Sequence, residues 1–179
     1  MEESTKEMCY CALSLNDKEY LIAATTKGLA FVGSQNAGLI ELVVWIEKNR
    51  PGTLLKEDSM FMEPYCIELE EYFTGKRKKF DLPLDVEGSN FQKMVWRELL
   101  NIPYGETRTY SDIAWAVENP KAIRAVSSAI GKNPIAIVVP CHRVIGKNGK
   151  LNGYRGGLEM KQELLDLEKI NTPPLKATM

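Results

Sequence analysis

The stretch IAIVVPCHRV, residues 135–144, decides how the rest of this sequence is interpreted. Its five leading apolar residues predict a buried β-like run, which Pro140 ends. The next three residues, Cys141, His142 and Arg143, carry a thiol, an imidazole and a guanidinium. A cysteine reacts as its thiolate, which a neighbouring base or cation favours at neutral pH. The pattern therefore indicates a candidate nucleophile at Cys141.

Cys141 also has a purely structural interpretation, in which it is a core residue and not a nucleophile. Free cysteine is among the most buried residue types, so a core position at the end of a strand is the default expectation. Two observations favour chemistry. The only histidine of the chain lies next to this cysteine, and residues 119–155 contain seven Lys and Arg but no Asp or Glu. A basic segment of this kind attracts polyanions, and nucleic acid is the commonest intracellular polyanion with a defined site.

Charge also divides the chain into two parts. Residues 1–87 contain 10 basic and 16 acidic side chains, whereas residues 88–170 contain 12 basic and 8 acidic ones. We place a domain boundary at Gly88, where new helix signals also begin, and expect residues 171–179 to be a disordered tail. A length of 179 residues with 44% hydrophobic content suits one domain or two small ones.

Composition excludes several classes of protein. No apolar run approaches the ~20 residues that a membrane span requires, so we expect no membrane partner. The acidic, polar N-terminus is unlike a signal peptide, which predicts an intracellular protein with reduced cysteines. Cys9 and Cys11 resemble half a metal site, but Cys66 is distant in sequence and the histidine lies elsewhere, so we expect no metal.

The N-terminal part has the pattern of a small α/β domain. Three short strands are predicted at residues 8–15, 20–25 and 29–32, and two helices at residues 36–49 and 60–73. Asp58 or Ser59 would cap the second helix, and Gly75 would end it. Residues 80–84 are predicted to form an edge strand or an extended linker.

The C-terminal part is predominantly helical. Ser89 is predicted to cap a first helix, Thr109 a second at residues 110–117, and further helices are expected at 121–130 and 158–168. The second and third have helix-turn-helix proportions. The third is rich in small residues, which permit a close approach to another helix or to a nucleic-acid groove, and Arg124 is the large polar residue among them. Residues 146–150 predict a hairpin-like loop, and residues 152–157 a glycine-rich turn.

Taken together, these motifs resemble the O6-alkylguanine-DNA alkyltransferases. The resemblance rests on the signature at residues 140–144, on residues 105–110, 124–126, 131–134 and 153–157, and on the terminal Glu168. It covers residues 91–168 in consistent order and spacing. It implies an α/β N-terminal domain of ribonuclease-H-like shape, followed by a mostly α C-terminal domain with a winged-helix-like helix-turn-helix.

The resemblance also implies a function, which is DNA repair by direct damage reversal. An alkyl group would pass irreversibly from O6-alkylguanine, with O4-alkylthymine as an alternative substrate, to a cysteine of the protein itself. The enzyme would act once and use no metal or organic cofactor. The implied partner is double-stranded DNA bound through its minor groove with the damaged base flipped out. A monomer is expected, located in the cytoplasm, or in the nucleus of a eukaryote.

The resemblance assigns a catalytic relay to three residues. Cys141 would be the nucleophile and alkyl acceptor, His142 a general base acting through a water molecule, and Glu168 the group that orients and polarises the imidazole. Tyr110 would contact the target's phosphate and donate toward the guanine ring. Arg143 is expected to hold the turn in place rather than to take part in catalysis.

The remaining assignments concern the base and the DNA. Asn133 would connect the helix-turn-helix to the active-site turn. The carbonyl of Val144 and the backbone of Tyr154 and Arg155 would bind the base edges, with the Tyr154 ring as a wall. Arg124 would enter the base stack in place of the flipped nucleotide. The DNA-binding face is predicted to include Arg124, Ala125, Ser127 and Ser128.

Three other classes compete with this interpretation. An alkyltransferase-like protein, which binds the lesion without transfer, would lack the cysteine that is present at position 141. A cysteine hydrolase would not need the basic segment. A helix-turn-helix regulator with a redox-sensing cysteine would need side chains for base readout, which Ser127, Ser128 and Ala129 offer poorly. Asn152 departs from the residue usual in the family, which bears on the tolerated size of the alkyl group.

Overall fold

Four strands form the N-terminal sheet in the computed structural model, which describes residues 6–174. They are β1 (Glu7–Leu15), β2 (Lys18–Thr25), β3 (Gly28–Val32) and β4 (Leu54–Glu57), in the order β3-β2-β1-β4. The first three strands form an antiparallel meander, as predicted, and β4 pairs in parallel with β1. Asn16 and Asp17 connect β1 to β2 with φ values of 49° and 60°. These left-handed conformations are typical of the two-residue turns that match strand twist.

Two helices bury their apolar residues against this sheet. In α1 (Gly38–Asn49), Leu42 and Ile46 belong to a small core that β1, β2 and β3 also form. In α2 (Ser59–Phe73), the Asp58 carboxylate accepts a hydrogen bond from the Phe61 N–H and begins the helix. The buried residues of α2 belong to a second, larger core. The sheet thus has one helix for each of its two cores.

Four helices and a short ribbon form the C-terminal part. The helices are α3 (Asn90–Leu99), α4 (Tyr110–Ala116), α5 (Ile123–Gly131) and α6 (Leu158–Ile170). The ribbon pairs β5 (Arg108–Thr109) in parallel with β6 (Val144–Ile145). Capping boxes begin two of the helices, with Ser89 and Gln92 at α3 and Thr109 and Asp112 at α4. The two predicted caps are therefore confirmed.

The prediction of a β-like run at residues 135–139 is wrong. Ile135 makes one isolated bridge to Val32, and the chain then turns, with Ile137 at a φ of 72°. All five residues are nevertheless buried in the larger core. Apolar composition indicated burial correctly, but it does not distinguish a strand from a buried turn. At residues 80–84 only Leu84 pairs, in one isolated bridge to Leu29, which makes the segment an extended linker.

The larger core crosses the domain boundary predicted at Gly88, since it contains residues of β1, β2, α2, α3, α5 and α6. A backbone hydrogen bond of 2.9 Å from the Val32 N–H to the Pro134 carbonyl connects the two parts directly. Within residues 6–174, no helix combines the length and apolar character needed to cross a membrane. The expected tail at 171–179 lies partly outside the described residues. Asn171 and Thr172 hydrogen-bond back to α6, so the folded part extends past the predicted boundary.

Candidate active site

The candidate nucleophile lies on a single buried turn of 3-10 helix, Cys141–Arg143. Cys141 is 5% exposed and His142 is fully buried. The side-chain amide of Asn133 donates to the Cys141 Sγ at 3.1 Å and to the Val139 carbonyl at 2.8 Å. Its oxygen accepts from the Ile135 N–H at 2.9 Å. Asn133 lies two residues after the end of α5, so its three hydrogen bonds connect the helix-turn-helix to the active-site turn.

Behind this turn, the Glu168 carboxylate receives hydrogen bonds from several buried groups. His142 Nε2 lies 2.7 Å from Oε1, and Arg143 donates through Nε and a terminal nitrogen at 2.8–3.1 Å. The Gly105 N–H donates to Oε2 at 3.1 Å. Arg143 also donates to the Ile102 carbonyl at 2.6 Å. The arginine therefore anchors the turn and compensates the buried carboxylate, as expected for a structural role.

The protonation states in this cluster follow from burial and charge. Burial raises the pKa of Glu168, but hydrogen bonds from His142 and Arg143 overcome it and lower that pKa to about 2. Burial lowers the pKa of His142, against the opposing effect of Glu168. At neutral pH the imidazole is thus neutral beside an ionised carboxylate. Since Oε1 can only accept, Nε2 carries the proton and Nδ1 is the basic nitrogen. Among the described residues, Nδ1 has no hydrogen-bond partner.

Tyr72 also belongs to this cluster, although no sequence motif includes it. Its hydroxyl donates to Glu168 Oε1 at 2.7 Å and lies 3.4 Å from His142 Nε2. Burial, together with the Glu168 charge, raises the pKa of Tyr72 well above its ordinary value. Tyr72 lies on α2, among core positions, where a buried aromatic residue needs no further explanation. The N-terminal part therefore supplies one hydrogen bond to the relay.

A cavity of about 290 Å³ opens over the Cys141 thiol. Besides Cys141, five of the predicted site residues line it, namely Tyr110, Ser127, Asn133, Tyr154 and Arg155. Val144 does not line the cavity, but it directly follows the active-site turn and is fully buried. Ile130, Gly131, Ala136, Asn152 and Gly153 complete the lining.

Two cationic side chains influence the Cys141 thiol. Burial raises the pKa of Cys141, whereas the Asn133 hydrogen bond and the charges of Arg155 and Lys161 act against that rise. Lys161 was not selected from the sequence. Its side chain is buried, and its ammonium donates to the Asn152 carbonyl at 3.0 Å. A protonated thiol beside a neutral imidazole needs proton transfer before it can attack.

The two tyrosines of the cavity are held differently. The Tyr110 hydroxyl donates to the Asn152 carbonyl at 3.4 Å, and the Lys161 ammonium lies 5.9 Å from the centre of its ring. The Tyr154 hydroxyl is buried without a hydrogen-bond partner among the described residues. Burial and the nearby Cys141 raise the pKa of both hydroxyls, so both are protonated donors at neutral pH.

The Arg155 side chain connects the cavity to the N-terminal part. Its guanidinium pairs with the Glu41 carboxylate, donates to the Val32 carbonyl at 2.6 Å, and lies 5.2 Å from the centre of the Phe31 ring. The sequence resemblance assigned only the backbone of Arg155 to the base. Its side chain has a further role, because it ties the glycine-rich turn to β3 and α1.

The predicted DNA-binding residues share one face of α5. Arg124, Ala125, Ser127 and Ser128 are exposed, whereas the opposite face is buried through Val126, Ala129 and Ile130. The indole N–H of Trp96 donates to the Ala129 carbonyl at 2.8 Å, which fixes α5 on α3. Ser127 also lines the cavity, so the exposed face of α5 and the thiol lie at the same opening.

Comparison with known proteins identifies the two parts. Residues 17–86 match the family model for the ribonuclease-like domain of 6-O-methylguanine DNA methyltransferase, and residues 90–170 match the model for its DNA-binding domain. The inducible methylated-DNA–protein-cysteine methyltransferase of Bacillus subtilis is 53% identical over 169 residues, which are 94% of each chain. A probable enzyme of the same name from Acanthamoeba polyphaga mimivirus is 59% identical over 139 residues, covering 75% of this chain and 93% of that one.

Two solved structures from Mycobacterium tuberculosis are similar in fold to this chain. The crystal structure of Mycobacterium tuberculosis O6-methylguanine methyltransferase has a TM-score of 0.78 at 38% identity, covering 93% of this chain and 96% of that one. The same organism's OGT in complex with DNA has a TM-score of 0.76 at 38% identity, covering 94% and 96%.

The site combines a helix-turn-helix with a buried thiol, and a histidine hydrogen-bonded to a carboxylate lies next to that thiol. These features define a class of protein, namely a DNA-binding protein that carries its own nucleophile. The chain belongs to the methylated-DNA–protein-cysteine methyltransferase family. It repairs DNA by direct reversal, in which an alkyl group passes from the damaged DNA to a cysteine of the protein. The ribonuclease-like and helix-turn-helix folds expected from the sequence are confirmed.

Proposed function

We propose that Cys141 is the alkyl acceptor, that the substrate is O6-alkylguanine flipped out of double-stranded DNA, and that each protein molecule reacts once. The main support for this proposal is one observation. The Cys141 sulfur faces a cavity of about 290 Å³, and the adjacent His142 is hydrogen-bonded to a buried, ionised Glu168. This combination supplies a nucleophile, a base for its proton and room for a planar ring.

His142 takes the thiol proton through a bridging water. Its Nδ1 is the nitrogen with a free lone pair, because Nε2–H donates to Glu168. The resulting imidazolium is stabilised by the Glu168 carboxylate. The charges of Lys161 and Arg155 favour the thiolate at the same moment, so burial holds Cys141 as a thiol until the base acts.

In the transfer step, the sulfur attacks the alkyl carbon in line with the guanine O6. The carbon–sulfur bond forms as the carbon–oxygen bond breaks, and the bonding electrons remain on the guanine. Tyr110 donates a hydrogen bond toward the ring as this negative charge develops, which its protonated hydroxyl permits. The resulting thioether has no leaving group that water can displace readily, which is the reason for a single turnover.

Base recognition uses the other side of the cavity. The Val144 carbonyl and the backbone of Tyr154 and Arg155 bind the base edges, and the Tyr154 ring forms a wall. The Arg155 side chain supports this by fixing the turn to β3. Asn133 holds the opposite side of the thiol, through its hydrogen bonds to Cys141 and Val139.

DNA binding uses the exposed face of α5 in the minor groove. Ala125, Ser127 and Ser128 are small enough for a close backbone approach and offer little sequence readout, which suits a lesion that occurs in any sequence. Arg124 fills the space left in the base stack. We propose that the protein acts as a monomer, in the cytoplasm of a prokaryote or the nucleus of a eukaryote.

The assignment of Cys141 is tested by separating transfer from binding. The Cys141→Ala variant is expected to transfer no methyl from a duplex containing one O6-methylguanine, while its affinity in a gel shift stays within about threefold of wild type. Cys9→Ala is the matched control, since Cys9 is also buried but lies on β1. Transfer by Cys141→Ala would refute the assignment, and loss of binding as well as transfer would make the cysteine structural.

The role of Arg124 is tested on two substrates. We expect Arg124→Ala to slow repair of the duplex by about tenfold or more, since unstacking a base costs a few kcal/mol. Reaction with the free base O6-methylguanine should change much less, because no stack has to be opened. Lys121→Ala, another exposed cation before α5, is the control. Equal losses on both substrates would contradict the proposal.

A further inference from the structure

Two cysteines outside the active-site cavity are in direct contact. Cys11 lies on β1 and Cys66 on α2, and their sulfur atoms are 3.4 Å apart. Neither residue lines the cavity over Cys141. Cys11 is buried in the core, whereas Cys66 is partly exposed. Solvent thus reaches the Cys66 residue in part, whereas Cys11 is buried next to it.

The environment makes these two thiols chemically unequal. The hydrogen bond between the two thiols lowers the pKa of Cys66, against burial and the Glu70 and Glu63 carboxylates. The same hydrogen bond, with burial, raises the pKa of Cys11. Cys66 is therefore the better attacking thiolate, and Cys11 is placed to resolve the product. In contrast, Cys141 is almost fully buried, and that burial raises its pKa.

We propose that Cys11 and Cys66 form a reversible disulfide on exposure to hydrogen peroxide, and that this pair is oxidised before Cys141. The Cys66 thiolate attacks the peroxide, so that a sulfur–oxygen bond forms, the oxygen–oxygen bond breaks and one water leaves after protonation. The Cys11 sulfur then attacks the sulfenic acid, the sulfur–sulfur bond forms and a second water leaves. Two thiols lose two electrons in total, and the peroxide gains them.

The bond requires the two sulfur atoms to move closer together by a short distance. The sulfurs must approach from 3.4 Å to about 2.05 Å, across an interface where β1 and α2 already share one core. The cross-link would join residues 55 apart in sequence, which restricts the unfolded chain. In a reducing compartment such a disulfide responds to oxidant rather than forming constitutively. The consequence is an oxidised protein that is more stable and still has a reduced Cys141.

The test uses the full-length protein and hydrogen peroxide as the probe. After a graded exposure, free thiols are blocked and the protein is digested with trypsin without reduction. Cleavage after Lys6, Lys18, Lys56 and Lys76 places Cys9 and Cys11 together in peptide 7–18 and Cys66 alone in peptide 57–76. Cys9 should carry the blocking group, and the Cys9→Ser variant assigns the link to Cys11. We expect the linked pair, two hydrogens lighter than the separate peptides, to appear while peptide 133–143 keeps a blockable Cys141. Dithiothreitol should reverse the link.

Two variants separate this proposal from its alternatives. Cys66→Ser should abolish the linked pair and leave alkyl transfer unchanged. Cys9→Ser is the matched control, because Cys9 lies on the same face of β1, and it should still form the link. The oxidised wild type should melt several degrees higher and retain methyl transfer. Loss of the link in Cys9→Ser, no link at all, or oxidation of Cys141 before the pair would each overturn the proposal.

Discussion

Replacing Glu168 by glutamine removes the charge at the centre of the buried cluster while keeping the shape of the side chain. The Glu168 carboxylate is 1% exposed and accepts from His142, Arg143, Tyr72 and Gly105. Glutamine has a single acceptor oxygen, and its amide would direct N–H groups toward other donors. The variant also leaves the Arg143 cation buried without a counter-charge.

Two independent arguments give a similar value for the free energy of unfolding that Glu168→Gln would lose. The pKa of Glu168 falls from its ordinary value of 4.5 to about 2. That difference corresponds to about 3 kcal/mol of native-state preference for the charged form. Breaking a buried ion pair from one side typically costs about 3–5 kcal/mol. We therefore expect Glu168→Gln to lower the free energy of unfolding by about 3 kcal/mol.

The assay is urea denaturation at pH 7, with single-turnover methyl transfer measured on the same samples. Because His142 loses the acceptor that fixes its tautomer, the transfer rate should fall at least tenfold in protein that is still folded. Glu159→Gln is the control, since Glu159 lies on the same helix and is exposed. It should change stability by no more than about 0.5 kcal/mol. A loss below about 1 kcal/mol for Glu168→Gln, with a normal rate, would refute the account of the cluster.

Three further predictions follow from the site. Asn133→Ala should lower the free energy of unfolding by about 2 kcal/mol and slow alkyl transfer, because the Val139 carbonyl and the Cys141 sulfur lose a buried donor. An unchanged urea denaturation curve and an unchanged transfer rate would contradict this. Stability should fall on acidification from about pH 6.5 toward pH 2, because His142 and Glu168 both have a lower pKa folded than unfolded, so the unfolded chain binds more protons. Urea titrations at several pH values test this, and the dependence below pH 4.5 should weaken in Glu168→Gln. Methylated protein should melt about 2–4 °C lower than unreacted protein, since the methyl group is added to a packed site where the sulfur-bearing residue is only 5% exposed, and an equal melting temperature in calorimetry would contradict this.

Local signals in the sequence were sufficient for most of the secondary structure. Helix caps at Asp58, Ser89 and Thr109 are short-range chemistry, and each begins a helix in the structure. The predicted strands at 8–15, 20–25 and 29–32 differ from the observed ones by no more than two residues at either end. Strand β4 was missed because Leu54–Glu57 is a short, mostly exposed edge strand without a regular alternation.

Site residues that only long-range contacts bring together could not be predicted from the sequence. The motif placed Cys141 and His142 together because they are adjacent in sequence, and the resemblance supplied Glu168. Tyr72 and Lys161 carry no such signal, since each looks like an ordinary helix residue until the fold brings it to the cluster or the cavity. The side-chain role of Arg155 was likewise invisible, because its partners lie on β3 and α1.

The most direct test of the central claim is peptide mass spectrometry after the wild-type protein is mixed with excess duplex containing one O6-methylguanine. We expect one added methyl group per protein chain, on Cys141 in tryptic peptide 133–143, with no further reaction after that point. A methyl on another cysteine, more than one transfer per chain, or an unmodified protein that still binds the duplex would contradict it.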